Sequence, residues 1–248
     1  MKLNETLIQP NWPAPANVKS LQTTRLGGVS AKPYDSLNLG LHVGDDPVRV
    51  NYNRQLLAPF MSSEPVWLEQ VHGTAVANVD AADCRVQVDV CIARQRGSVC
   101  VVMTADCLPV LLCDEAGTVV GAAHAGWKGL AAGVIETTVK AMDVAPQKLM
   151  AWLGPAIGPE AFEVGSEVRA AFVAHQAQAS EAFIAHGDQG KYRADIYLLA
   201  RQRLRALGIA NINGGNFCTY HQRDKFFSYR RDGVTGRMGT FIWLAGSD

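Results

Sequence analysis

No CxxC pair occurs among the six cysteines of this 248-residue chain, which excludes the paired-thiol spacing of zinc ribbons and thioredoxin-like redox sites. GxxxxGK followed by Ser or Thr, GxGxxG and HExxH are missing too, so there is no P-loop, dinucleotide fingerprint or zincin helix. The HxE and PCxxC combination of cytidine deaminases is also absent. Only six histidines are present and no two stand two residues apart, too few imidazoles for a four-copper oxidase cluster. Charge of one sign is not in excess, since 23 Lys plus Arg balance 23 Asp plus Glu. That balance argues against nucleic-acid and membrane partners and for small uncharged or anionic substrates. The N-terminus has no signal-like apolar region, and the most apolar later stretch, 99–113, is interrupted by Asp106 and Pro109. The expected location is cytoplasmic, with free thiols.

What is present suits a large core. A composition of 48% hydrophobic and 19% charged residues fits one α/β domain over 1–248. Residues 23–47, rich in Gly, Ser, Asn and Asp, read as a long irregular loop, a length that usually carries function. Asp46-Pro47 then opens a helix ending near Pro59, with Val48, Tyr52 and Leu56 as its apolar stripe. Short strands are predicted at 66–69, 74–79, 98–104, 108–113 and 118–123, the last two joined by the turn Asp114-Glu115-Ala116-Gly117. A helix over 129–142, a strand over 149–153 and a helix over 166–175 follow. Asp195 caps an amphipathic helix to Leu207 with Ile196, Leu199, Leu204 and Leu207 inward, and strands at 226–230 and 238–244 close the chain. Hairpins mixed with strand–helix alternation predict mixed β-sheets layered with helices, an α+β variant of the α/β class.

Chemistry concentrates where strands end, the places from which a rigid scaffold presents polar groups. His72 follows VWLEQV, Cys107 lies in MTADCLPV, and His124 ends TVVGAA just before GWKG. Two imidazoles and a thiolate are a ligand set for Zn²⁺ that leaves a fourth position for an acidified water. The same residues suit nucleophilic catalysis, with Cys107 as thiolate, His124 or His72 as base and Asp106 nearby. They also suit a buried cysteine beside two hydrogen-bonded histidines, and spacing alone leaves the three open. Cys100 and Cys113 lie in apolar runs and read as small buried hydrophobes. Lys128, in a glycine-flanked turn, can meet an anion or simply be solvated. Arg25 lies in the Gly-rich loop, and Ser228-Tyr229-Arg230-Arg231-Asp232-Gly233 sets donors beside an aromatic ring. Trp127 can stack on a substrate ring or pack.

The ordered runs TTRLGGVS, SLNLGLHVGD, LEQVHGT, TADCLPVLL, AAHAGWKG, LGPAIGP, CTY and FFSYRRDGVTGR span residues 19–244 and resemble the YfiH-type laccase-domain family. Its members are also called multi-copper polyphenol oxidoreductases or purine nucleoside phosphorylases. The resemblance implies a fold of the YfiH-like cysteine-hydrolase kind. It also implies that His72, Cys107 and His124 are the metal and catalytic set, holding Zn²⁺ or copper. The implied activity is phosphorolysis of adenosine, inosine, guanosine and methylthioadenosine, with adenosine deamination beside it. Phosphorolysis needs cations around phosphate while positive charge develops on the ribose, a task that falls to Lys128, Arg25 and Arg230 or Arg231. The alternatives are a copper-dependent polyphenol oxidase and a Cys-His hydrolase or editing factor in cell-wall precursor synthesis.

Overall fold

A computed structural model describes residues 3–81, 86–187 and 190–246; Cys84 falls outside them. The apolar runs of the chain become the centres of two sheets. A three-stranded antiparallel sheet has the order β1 (Val18–Gln22), β12 (Met238–Leu244), β4 (Val99–Thr104). A six-stranded mixed sheet has β11 (Asn211–Gly214) beside β7 (Leu149–Leu153), then β5 (Leu108–Asp114), β6 (Val120–Ala125), β3 (Val90–Ala93) and β2 (Val76–Asn78). The β11–β7 and β2–β3 pairs are parallel and the remaining pairs antiparallel. A small third sheet, β8 (Glu163–Gly165), β10 (Lys191–Ala194) and β9 (Phe183–Ala185), lies to one side. Alternate residues of the two larger sheets meet between them: Cys91, Cys100, Val102, Leu111 and Ile242 form one apolar cluster. Each such Leu or Ile contributes roughly 1.5–3 kcal/mol relative to exposure.

The other face of the six-stranded sheet is covered by helices. These are α3 (Val134–Met142), α4 (Ser166–His175) and α5 (Ile196–Ala206), whose buried side chains join those of β5, β6 and β7. Asp195 caps α5 by accepting from the Leu198 amide at 2.9 Å, and Ile196, Leu199 and Leu204 point inward as the sequence predicts. The mixed, helix-layered architecture is the expected one. Among the described residues no helix is long and apolar enough to cross a membrane.

Several local expectations are corrected. The 129–142 helix is two, α2 (Trp127–Ala132) and α3, because Gly133 adopts φ 96°, a left-handed conformation that ends the first helix. Residues 226–230 are no strand: Phe226 and Phe227 are buried in loop, and Ser228 caps the short helix α6 (Tyr229–Asp232) by accepting from the Arg231 amide. Of the predicted 66–69 strand only one bridge survives, Val66 to Cys100. Helix α1 (Pro47–Leu56) has the predicted Asp46 cap, yet Val48 and Tyr52 are 75% and 49% exposed. Its inward residues are Val50, Asn53 and, just beyond it, Leu57.

That rotation has a polar cause. Asn53 is the buried anchor of the 23–47 loop: its Oδ1 accepts from the Val29 amide at 2.8 Å, and its Nδ2 donates to Ser30 Oγ, Asn38 O and Ser36 O. No apolar-periodicity rule selects an asparagine for the inner face. Asn53→Ala orphans the buried groups it satisfies and is expected to cost about 2–4 kcal/mol, measured by urea unfolding. A loss under roughly 0.5 kcal/mol would show that water replaces the anchor.

Candidate metal centre

The three residues singled out by sequence converge because of how the sheets join. Cys107 lies where the chain leaves β4 in one sheet and enters β5 in the other. Across the β5–β6 ladder, Pro109 pairs with His124, which brings the end of β6 beside Cys107. The loop before β2 supplies His72, whose backbone sits at φ 60°. Their ligand-capable atoms all lie within 4.8 Å of one another, and the two imidazole rings meet edge to face at 4.8 Å. The group can hold a metal ion; N₂S donors suit zinc or copper. Gly126 is what lets the group close, since a Cβ there would stand 3.0 Å from Cys107 Sγ and 3.3 Å from His72 Cδ2.

A residue not anticipated from sequence organises the set. Asp89, just before β3 and fully buried, accepts from His124 Nδ1 at 2.8 Å. The same carboxylate accepts the amides of Val71, His72 and Gly73 at 3.2, 2.9 and 2.6 Å. One carboxylate therefore fixes the His72 loop and orients His124, leaving Nε2 of His124 for a metal. Burial alone would raise the Asp89 pKa, but the hydrogen bonds from His124, Gly73 and His72 hold it below its ordinary value. The only sequence signal is a carboxylate inside the apolar run VDVCIA.

Burial also works against a Cys107 thiolate, yet the imidazoles of His124 and His72 outweigh it and bring the thiol down to about 6. Burial likewise opposes a charged His124, and Cys107 and Asp89 outweigh it, raising the imidazole to about 9. The metal-free group is thus a thiolate beside an imidazolium at neutral pH. A lowered thiol pKa keeps the nucleophile available in mild acid and withdraws it only below the midpoint. Iodoacetamide should therefore alkylate Cys107 of metal-stripped protein with a midpoint near pH 6, followed by mass spectrometry. A midpoint near the ordinary thiol value, about 8.5, would mean that the imidazoles do not pair with it. Cys100 and Cys113 are buried as the sequence suggests, and burial pushes the Cys113 thiol up to about 12.

Beside the group lies a cavity of about 430 Å³ to which His72 and Cys107 contribute. Trp127, Ile157, Phe162 and Tyr229 give it aromatic and apolar walls, and Lys128 and Arg230 add positive charge. Asp106 fixes one wall, accepting from Thr219 Oγ1 and the Arg230 amide, both at 2.6 Å. The carboxylate is thereby committed to the fold rather than to Cys107.

Of the four cations named from sequence, Lys128 and Arg230 line this cavity and two do not. Arg25 lines a separate surface cavity, where it pairs with Asp35 and donates to the Asp35 and Arg223 carbonyl oxygens. Arg231 spends its guanidinium on the carbonyls of Thr219, Tyr220 and Phe226 and on Asp232, which braces the chain ahead of α6. Neither guanidinium is brought to the His72-Cys107-His124 group.

The sequence profile of the family described as multi-copper polyphenol oxidoreductase laccase matches residues 19–245. Purine nucleoside phosphorylase YfiH of Escherichia coli K12 is 57% identical over 241 residues, covering 96% of this chain and 98% of the relative. A purine nucleoside phosphorylase of Pseudomonas aeruginosa is 52% identical over 237 residues, again 96% and 98%. Among solved structures, a Neisseria meningitidis protein superposes with a TM-score of 0.94 at 50% identity, covering 97% of this chain and all of that one. YlmD of Geobacillus stearothermophilus superposes with a TM-score of 0.87 at 33% identity, covering 94% of each chain. With its fold, its matched span and its near end-to-end relatives in agreement, the chain belongs to the multi-copper polyphenol oxidoreductase laccase family, the family of the YfiH proteins.

Proposed function

We propose that this protein is a purine nucleoside phosphorylase acting on adenosine, inosine, guanosine and methylthioadenosine, with adenosine deamination as a second activity. The observation that carries the proposal is the aromatic cavity ending on the His72-Cys107-His124 group. Relatives covering nearly the whole chain bear the phosphorylase name, which supports the same assignment. A flat purine fits between Trp127, Phe162 and Tyr229 by stacking, while Lys128 and Arg230 meet the polar side of the nucleoside. His72, Cys107 and His124 would hold Zn²⁺, which supplies Lewis-acid charge and an acidified water suited to deamination. Asp89 keeps His124 in the tautomer and orientation that such a centre needs. Copper fits the same donors, but a phenol oxidase with several coppers needs further ligands. Among the described residues this is the one His/Cys/Asp/Glu group close enough to hold a metal.

The test is an assay of metal-replete protein with inosine and phosphate, in which hypoxanthine release should depend on phosphate. No release, or release unchanged without phosphate, overturns the proposal. Activity that survives a chelator but not thiol alkylation points instead to a Cys-His hydrolase. Trp127→Ala should raise the KM for inosine about 5- to 100-fold and alter kcat far less, the loss expected from one stacking partner. An unchanged KM would mean that Trp127 only packs.

A further inference from the structure

A second cavity, of about 360 Å³, adjoins the group. It shares His72, Ala105, Cys107 and Tyr229 with the aromatic cavity and otherwise has walls of its own, among them His42, Thr104 and Arg237. Arg237 is half-buried and donates through Nη1 to the carbonyl oxygens of Thr235 and Gly236, at 3.0 and 3.1 Å. It has no carboxylate partner among the described residues, whereas Arg25, Arg203 and Arg231 each face an Asp or Glu. Among the described residues its Nε and Nη2 have no hydrogen-bond acceptor. Thr104, 1% exposed at the end of β4, lines the same cavity with an Oγ1 that has no hydrogen-bond partner among the described residues. The wall is built and not incidental. Asn38 Oδ1 accepts both the Arg237 and the Gly40 amides at 2.9 Å, and a Cβ at Gly40 would press on Arg237 Cγ at 2.9 Å and on His42 Cε1 at 3.4 Å. Burial works against the Arg237 charge and outweighs the attraction of Cys107 and Asp106, neither of which it contacts by a hydrogen bond or ion pair, so an anion bound in the cavity would offset that cost.

We propose that this second cavity is the subsite for inorganic phosphate, held by Arg237, His42 and Thr104. The assignment rests on the phosphorylase function above and deepens it. With the purine among the aromatic rings and phosphate against Arg237, the anomeric carbon falls where the cavities meet, beside His72, Cys107 and Tyr229. There the C1′–N bond breaks, its electron pair leaves with the purine, a phosphate oxygen forms the new bond to C1′, and the proton that hydrogen phosphate gives up on becoming the ester ends on the purine. Lys128 and Arg230, on the aromatic side, then serve the nucleoside. Adenosine deamination uses water and needs no phosphate, so the two activities should separate.

The experiment compares wild type with Arg237→Met, Arg237→Lys and Lys128→Ala, each checked for folding by circular dichroism. Arg237→Met should raise the KM for phosphate about 10- to 100-fold and leave the KM for inosine within about twofold, with deamination retained. Arg237→Lys should recover part of the loss. Inorganic phosphate alone should raise the melting temperature of wild type and of Lys128→Ala but not of Arg237→Met. A phosphate KM and thermal shift unchanged in Arg237→Met, or lost in Lys128→Ala instead, overturn the subsite while leaving phosphorolysis standing. Should wild type bind phosphate through Arg237 yet release no hypoxanthine, the anion site stands and the phosphorylase function falls.

Discussion

Cys107→Ala is expected to leave purification with less than roughly a tenth of the wild-type metal and with phosphorolysis and deamination both lowered by at least about 10³-fold. Two imidazoles remain in this variant, and one of them, His72, sits on an exposed loop. Such a pair binds zinc weakly in water, and the thiolate that neutralises one of its charges is gone. The wild-type thiol is already brought down to about 6 by its neighbours, so Cys107 meets a metal as a thiolate, and the proton that binding displaces at neutral pH comes from the His124 imidazolium. Elemental analysis and a nucleoside assay on the same sample decide the matter. Full metal with no activity would make Cys107 a nucleophile and not a ligand; full activity without metal would remove the centre from the chemistry.

Asp89→Asn should have the second largest effect, although Asp89 touches no substrate. The carboxylate accepts from His124 Nδ1 and from three successive amides, and an amide side chain must turn its NH₂ toward some of those donors. The expected results are a loss of about 3–5 kcal/mol in urea unfolding and a 10- to 100-fold weaker zinc affinity, the latter about what loss of a ligand-orienting carboxylate causes. Because the Asp89 pKa is held below its ordinary value, its contribution to stability is complete above the unfolded carboxyl value, about 3.9. Below that it fades as pH falls through the folded value, so the wild type should lose more stability in acid than the variant does. Wild-type zinc affinity in Asp89→Asn would remove the positioning role.

What the sequence made legible is what depends on neighbours along the chain. Asp46 with Pro47 and Asp195 with its apolar period announce α1 and α5, since a cap is made within three residues. The apolar runs around Cys100, Leu111 and Ala123 announce β4, β5 and β6, and with them the strand ends bearing Cys107 and His124. What depends on distant partners was hidden. Asn53 faces inward for the sake of residues 29–38, and Phe226 and Phe227 are buried without being a strand. Asp89 matters through an imidazole 35 positions away, and Arg237 through a loop near residue 40. Arg25 and Arg231 resemble Arg230 in a one-dimensional string and differ only in the carbonyls and carboxylates the fold sets against them. Resemblance of motifs located the centre; it carried no information on which arginines face it.

The anchoring of the 23–47 loop on two polar side chains of α1, Asn53 and Arg54, has a dynamic consequence. Residues tied through Asn53 and Asn38 combine these polar bonds with only two core side chains, Leu37 and Leu39, so they should open as a unit while the β5–β6 ladder stays closed. Backbone amides such as those of Val29, Ser30 and Leu39 would then exchange with solvent in one cooperative event, at a lower free energy than global unfolding. His42 rides on that unit and Arg237 is hydrogen-bonded to it, whereas His72, Cys107 and His124 are not. Selection acting on the loop can therefore retune the occupancy of one cavity while the residues beside the breaking bond stay where they are.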